Sequence, residues 1–232
     1  VIGWSKDGDL LNLQGIGGAG DEIATSASSS NDSIFLGGYF SDSFDYGNSQ
    51  EVSGGGTDGF VMSLSLLNFN QVNWFIPLSG SSDDFVLDLS AGSDGSLFWA
   101  GSFEGNSSFG GVDVISLGLS DAIICKLGSD GQVNYLKTAG GVGKDEVGFV
   151  SASTGDSLIV GGTFAEKLEW DNQSLTALGG KDAFLGALSS SGNCLSLLQL
   201  GGNGTEELED VLHAGQNVLV LGTFNGTVQL GH

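Results

Sequence analysis

The chain alternates between short apolar segments and short runs of glycine, serine, asparagine and aspartate. Between residues 147 and 200 the apolar segments are Val147–Ser153, Ser157–Phe164, Ala183–Leu188 and Cys194–Leu200. Each is rich in Val, Leu, Ile or Phe and is bounded by turn-forming residues, a pattern typical of β-strands joined by turns. No window keeps helical periodicity over two or more turns. The pattern therefore predicts an all-β protein.

This pattern recurs four times. The segments LGGYF, WAGSF, VGGTF and VLGTF close at Phe40, Phe103, Phe164 and Phe224. These phenylalanines lie 63, 61 and 60 residues apart. Glycine–acid blocks aligned at their ends, Glu22, Asp84, Glu146 and Glu207, follow the same period of about 61 residues, as does an Asp-small-apolar block. Such a period indicates an internal repeat. Four repeats of four strands each predict a four-bladed β-propeller, and a β-solenoid is the alternative.

We expect one propeller domain over residues 1–232, with repeat boundaries near 15–77, 78–138, 139–199, and 200–232 plus 1–14. The last repeat is shared between the two ends of the chain. The C-terminal part is expected to supply strands near Leu208–Ala214 and Asn217–Phe224, and the N-terminal part strands near Val1–Trp4 and Leu10–Gln14. Pairing between these strands closes the last blade and removes its exposed strand edges.

The last repeat lacks a copy of the 12 residues Gln173–Phe184. The other repeats carry a long excursion on the rim between the second and third strands, for example Ser41–Thr57. We therefore expect a notch beside both termini, where the segments near Val1–Trp4 and Val228–His232 contact a neighbouring subunit. Such a contact is head-to-tail, and a closed monomeric disc is the alternative.

The charge balance excludes two classes of partner. The chain has 28 acidic residues against six lysines and no arginine, a net charge of −22, which repels nucleic acid and anionic membrane surfaces. No apolar run approaches the ~20 residues that span a bilayer, so we expect no membrane insertion. The chain begins at Val1 without a signal-peptide pattern, as expected for a processed product or an excerpt. Cys125 and Cys194 are expected to be small buried thiols, with a disulfide between them as the alternative.

The sequence offers little for catalysis. The histidines are His213 and His232, and His213 falls on a predicted innermost strand, where a packed imidazole is expected in place of a general base. No nucleophile elbow, phosphate loop or Cys/His metal cluster is present. We therefore expect a protein that is not an enzyme.

Acidic residues recur just before the predicted innermost strand of every repeat, where they are expected to converge on one mouth of a central channel. They are Asp21, Glu22, Asp83, Asp84, Asp145, Glu146, Glu206 and Glu207. An oxygen-rich site without histidine suits Ca²⁺, which binds 6–8 oxygens. The alternative is that each carboxylate closes its own glycine-rich turn by accepting backbone N–H groups, and this alternative is favoured.

Five Asn-x-Ser/Thr sequons are candidates for glycosylation: Asn31, Asn106, Asn172, Asn203 and Asn225. Asn203-Gly204 and Asn225-Gly226 also have the sequence of turns. The four tryptophans are expected to pack, and Trp170 on the rim is a candidate for stacking on a sugar.

These blocks resemble the bacterial β-propeller repeats labelled SBBP. The matches are Asp182-Ala183-Phe184 with Gly192, Asp121-Ala122-Ile123 with Gly131, and Asp58-Gly59-Phe60 with Trp74, each completed by a glycine–acid block. The resemblance implies a propeller of an exported or cell-surface protein. We therefore expect a non-enzymatic extracellular structural or interaction module that binds protein partners or self-assembles into a larger structure such as a filament. A carbohydrate- or Ca²⁺-binding propeller is the alternative, with glycans as partners.

Overall fold

The computed structural model describes residues 1–30, 32–153, 157–215 and 217–230. These residues form strands and turns and no helix, which confirms the predicted all-β class. The strands are β1 Ile2–Trp4, β2 Leu10–Leu13, β3 Glu22–Ser30, β4 Ser33–Tyr46, β5 Ser49–Ser65, β6 Val72–Gly80, β7 Asp84–Ala91, β8 Leu97–Phe103, β9 Asn106–Phe109, β10 Val112–Ile115, β11 Asp121–Leu127, β12 Val133–Ala139, β13 Asp145–Ala152, β14 Leu158–Trp170, β15 Gln173–Leu188, β16 Cys194–Gly202, β17 Glu206–Ala214, β18 Asn217–Phe224 and β19 Val228–Leu230. Across the described ranges, no helix is of a length and apolarity that would let it cross a membrane.

Each of the first three repeats folds into a four-stranded antiparallel sheet. The sheets are β3-β4-β5-β6, β7-β8-β11-β12 and β13-β14-β15-β16. In all four repeats the first strand carries a β-bulge at the same place, between Ala24 and Ser26 in the first repeat and between Leu208 and Asp210 in the last. The common bulge shows that the repeats share backbone geometry as well as sequence.

The rim excursions are extensions of the hairpin between the second and third strands. β4 and β5 stay paired beyond a bulge at Ser41 and Ser43 until the turn at Gly47. In the second repeat the excursion is the hairpin β9–β10, and β9 pairs with β6 of the preceding sheet. β19 pairs with β16, and Glu169 bridges to Gly140, in the same way. Each of these excursions therefore joins the outer edge of the sheet before it.

The sheets pack face to face through their apolar side chains. The first strand of each sheet lies against the sheet before it, β7 on β3–β5, β13 on β7, β8 and β11, and β17 on β13–β15. Trp99 and Phe103 lie in the core between the first and second sheets, and Phe164 and Phe184 in the core between the second and third. We call these three packed faces the sheet junctions.

The fourth repeat consists of two separate hairpins, β1–β2 and β17–β18. All four predicted strands are present, at Ile2–Trp4, Leu10–Leu13, Glu206–Ala214 and Asn217–Phe224. Among the described strands β18 pairs only with β17, and β1 only with β2. The pairing that closes the last blade is not formed here, so the closed four-bladed ring stays a prediction.

Candidate functional site

Strand pairing corrects the predicted equivalence of the acidic residues. The acids that pair with the closing phenylalanine of their repeat are Glu22, Asp84, Asp145 and Glu206. The equivalent acid is thus the second of its doublet in the first two repeats and the first in the last two. Because successive residues of a strand point to opposite faces, the eight acids are not four equivalent pairs. Asp21, Asp83 and Glu207 are exposed, and Glu146 is partly exposed.

The equivalent acids are bound by nearby backbone. Glu22 accepts the N–H of Gly18 at 2.8 Å, Asp145 that of Gly141 at 2.8 Å, and Glu206 that of Gly202 at 3.0 Å, each four residues upstream. Asp84 instead accepts the Ser107 hydroxyl at 2.6 Å and the Glu104 N–H at 3.3 Å. Glu22, Asp145 and Glu206 therefore close their own glycine-rich turns, the role that the sequence favoured.

A second set of buried acids lies on the third strand of each of the first three repeats, where its inner part begins: Asp58, Asp121 and Asp182. A Cβ at Gly140 would lie 2.4 Å from the Asp121 Cγ, and the adjacent Gly141 N–H binds Asp145. A glycine is needed at 140 because the carboxyl occupies the space of a side chain. The carboxyls of Asp121 and Asp145, which belong to neighbouring sheets, thus lie beside the same glycine pair, Gly140 and Gly141. The sequence did not predict this contact, although Asp121 belongs to the recurring Asp-small-apolar block.

Burial raises the pKa of the Asp58, Asp84, Asp121 and Asp145 carboxyls. Burial is the main cause that raises the pKa of Asp84 to about 7; the carboxylates of Asp58 and Asp83 add to it, and the hydrogen bonds from Ser107 and Glu104 oppose it. Burial likewise raises the pKa of Asp145 to about 7, with added contributions from Asp121 and Glu166. Among the described residues, the Oδ1 atoms of Asp58 and Asp121 and the Oδ2 of Asp84 have no hydrogen-bond partner. Burial of these oxygens disfavours the charged carboxylate, which is the main cause of the raised pKa values.

The first three repeats form a cleft of about 440 Å³, which Asp21 and Glu207 do not line. Asp83 and Glu146 line it together with Lys144 and Lys181. Lys181 Nζ lies 3.8 Å from Glu146 and 3.3 Å from Glu207, so lysine partly neutralises the predicted acidic mouth. Within the described ranges no group of three or more His, Cys, Asp or Glu side chains is arranged to hold a metal ion. Calcium binding stays a prediction.

The other candidate residues have contrasting environments. The sequon asparagines Asn106, Asn172, Asn203 and Asn225 are exposed, whereas Asn31 lies outside the described residues. Trp170 is 1% exposed in the core between the second and third sheets, so its predicted role in stacking on a sugar is wrong. His213 is partly buried on β17, where its backbone N–H binds Ser151. Cys125 and Cys194 are free thiols. His232 lies outside the described residues.

The most distinctive surface lies along β18, which we call the open edge. All eight residues of β18 are exposed. Phe40, Phe103 and Phe164 are 0% exposed, but the equivalent Phe224 is 60% exposed. In the complete sheets a third strand pairs with the second strand at this phenylalanine, whereas no described strand does so for β18. An apolar groove of about 450 Å³ therefore remains between β18 and the third sheet, lined by Leu185, Leu198, Leu208, Val220 and Phe224.

Comparison with known protein families and with curated protein sequences finds no match to this chain.

Proposed function

We propose that this chain is a non-enzymatic structural or interaction module outside the cell, built as a four-bladed β-propeller of the SBBP type. The fourth blade is completed when a strand equivalent to β1 pairs with the open edge of β18. The observation that carries the proposal is the open edge, with its exposed apolar strand beside an apolar groove. Exposed apolar surface of this kind is typical of protein interaction sites.

The surface chemistry supports a location outside the cell. The four described sequon asparagines are exposed, as glycosylation requires. A net charge of −22 keeps the remaining surface soluble while repelling nucleic acid. The open edge adds a run of exposed apolar side chains, Leu219, Val220, Leu221 and Phe224, to this acidic surface.

Electron microscopy and light scattering of the purified chain, across a range of concentrations at physiological salt, test the proposal. We expect ordered assemblies that grow with protein concentration. Substituting Val220 and Phe224 by aspartate should abolish them, whereas Asp substitutions at exposed Val52 and Leu67 should not. Assemblies that are unaffected by the open-edge variants, or a chain that stays monomeric while binding a sugar on a glycan array, would contradict the proposal.

A further inference from the structure

The groove beside the open edge has the position of a missing third strand. In the third sheet, β15 pairs with β14 and places Leu188 in the core shared with the second sheet. In the second sheet, β11 places Cys125 and Leu127 in the core shared with the first. The equivalent strand of the fourth repeat would place its side chains against Leu185 and Leu198 of the third sheet, and these residues line the empty groove.

Strand pairing identifies β1 as the strand that fits. Ile2 pairs with Leu13, and Trp4 pairs with Leu10. In the third sheet the equivalent pairs are Gly186 with Leu197 and Leu188 with Cys194. Val160 pairs with Gly186 in the third sheet, so Ile2 corresponds to the partner of Val220. By the same correspondence Trp4 lies opposite Val218. Ile2 and Trp4 are 55% and 61% exposed, and this register directs both into the groove.

The opposite face of β18 has a partner of matching shape in the first repeat. Gly37, Ala100 and Gly161 are equivalent, and Leu221 occupies their position. A Cβ at Gly161 would lie 2.5 Å from Val211 of the next repeat, so large residues of the following strand fill this space. Leu221, 63% exposed, cannot pack against residues of that size.

The first repeat compensates for this large residue. The residues that press on Gly37 are Val86 and Leu89, and those that press on Gly161 are Leu208 and Val211. Their equivalents on β3 are Ala24 and Ala27, both exposed. At the formed junctions a small residue faces large residues of the next strand. At the fourth junction Leu221 is the large residue and Ala24 and Ala27 are the small ones, so β3 has space for Leu221.

Both halves of the fourth blade are already docked within the chain. The His213 N–H binds the Ser151 hydroxyl at 3.0 Å, as the Ala152 N–H binds Ser90 at 3.0 Å at the preceding junction. On the other side Val1 packs against the core of the first sheet, which contains Phe60 and Met62. With both halves seated, β18 still does not pair with β1 among the described strands, and β3 makes no extensive contact with β17 or β18. Within the described chain, β1 and β18 therefore each keep an edge that the other does not pair with.

We propose that β1 of a second copy of this chain pairs with β18, placing Ile2 and Trp4 in the groove and β3 of that copy against Leu221. The contact joins two different surfaces, so it is heterologous and adds copies head to tail. This inference rests on the proposed function and names the partner of the open edge. Of the two predicted contact segments, Val228–Leu230 is already paired with β16, so β18 takes its place.

Variants with one exposed cysteine test the register and the source of the strand. One variant carries Ile2→Cys and the other Val220→Cys, both with Cys194→Ser, while Cys125 is retained because it is fully buried. The Cα atoms of directly paired residues lie within disulfide range. Mixed and oxidised at physiological salt, the two variants should form a cross-linked heterodimer on a non-reducing gel. The control pair, Ile2→Cys with Leu219→Cys, has side chains on opposite faces and should cross-link at least tenfold less.

A chain carrying both Ile2→Cys and Val220→Cys separates the alternatives. We expect a ladder of cross-linked oligomers. A disulfide confined to one chain, seen as a single faster-migrating band, would show that the ring closes on itself and would overturn the second-copy proposal. Absence of any cross-link would overturn the register. Either result leaves the proposed function standing if the assemblies still depend on Val220 and Phe224.

Discussion

The three sheet junctions and the open fourth junction are built from equivalent backbone but different side chains. At the formed junctions a serine hydroxyl of one repeat accepts a backbone N–H of the next, Ser28 from Ala91, Ser90 from Ala152 and Ser151 from His213, each at 3.0 Å. The equivalent of these serines in the last repeat is Leu212, which is 54% exposed.

The acids differ in the same way. Each formed junction brings together two buried carboxyls, whereas none of the described residues of the fourth repeat is the equivalent of Asp182. Among the described residues, the fourth junction therefore has Glu22 alone. The comparison shows that repeats with one backbone can carry two different contact chemistries, one for joining neighbours within the chain and one for the exposed ends.

The largest expected effect comes from placing leucine, the residue found at position 221 of the fourth junction, at the equivalent glycine of a formed junction. Gly161→Leu places a side chain where a Cβ already lies 2.5 Å from Val211, so we expect overpacking to destabilise the chain by about 3 kcal/mol. Urea unfolding followed by tryptophan fluorescence measures the change. Leu221→Ala, at the equivalent exposed position, should change stability by about 0.5 kcal/mol or less. Equal effects of the two variants would remove the distinction between the junctions.

The next effect is a dependence of stability on pH. Because the pKa of Asp84 is raised in the folded state to about 7, its contribution is full below the unfolded pKa and is lost as the pH rises towards 7. We expect Asp84 to reduce the free energy of unfolding by about 2 kcal/mol between pH 5 and pH 8.

Asp84→Asn isolates this contribution. The Asn side chain can accept from Ser107 at Oδ1 and can place its amide where the partnerless Oδ2 now lies. We expect the variant to melt above the parent at pH 8 and to show a flatter pH profile in calorimetry. Asp83→Asn removes the same charge from an exposed position and serves as the control. Matching profiles for the two variants would assign the pH effect to overall charge repulsion.

A smaller loss is expected from removing one serine of a formed junction. Ser90→Ala leaves the Ala152 N–H without its acceptor, which should cost about 1 kcal/mol in the free energy of unfolding. Leu212→Ser introduces the same hydroxyl at the open fourth junction and should leave the stability of the isolated chain unchanged. Thermal melts at low protein concentration compare the two. No loss in Ser90→Ala would show that apolar packing alone holds the junctions.

The smallest expected effect is that of calcium. Three of the predicted ligands, Glu22, Asp145 and Glu206, already accept backbone N–H groups of their own turns. We therefore expect no measurable difference between melting curves recorded with millimolar Ca²⁺ and with chelator. A calcium-dependent increase that Asp145→Asn abolishes would restore the predicted metal site.

Sequence reasoning succeeded where local pattern and geometry coincide. The strand and turn pattern predicted β13 to β16 and both halves of the fourth blade, because turn residues and apolar runs act locally. It misaligned Glu146 with Glu22, since a doublet of acids does not reveal which member faces inward. It placed Trp170 on an exposed rim, although the hairpin that carries this residue folds against the core between two sheets. Such placements depend on contacts between repeats, which a single repeat does not encode.

The excursions that pair with the preceding sheet also determine how the chain responds to mechanical load. β9 on β6 and β19 on β16 add hydrogen bonds at the outer edge, while Ser28 and Ser151 and the apolar cores join the same sheets near the inner edge. A force that pulls two neighbouring sheets apart must therefore break contacts at both edges together, and cannot peel one edge first. The contacts at both edges thus share the load. A thread made of such subunits would be strong along the formed junctions, and its breaking strength would be set by the contact between one copy and the next.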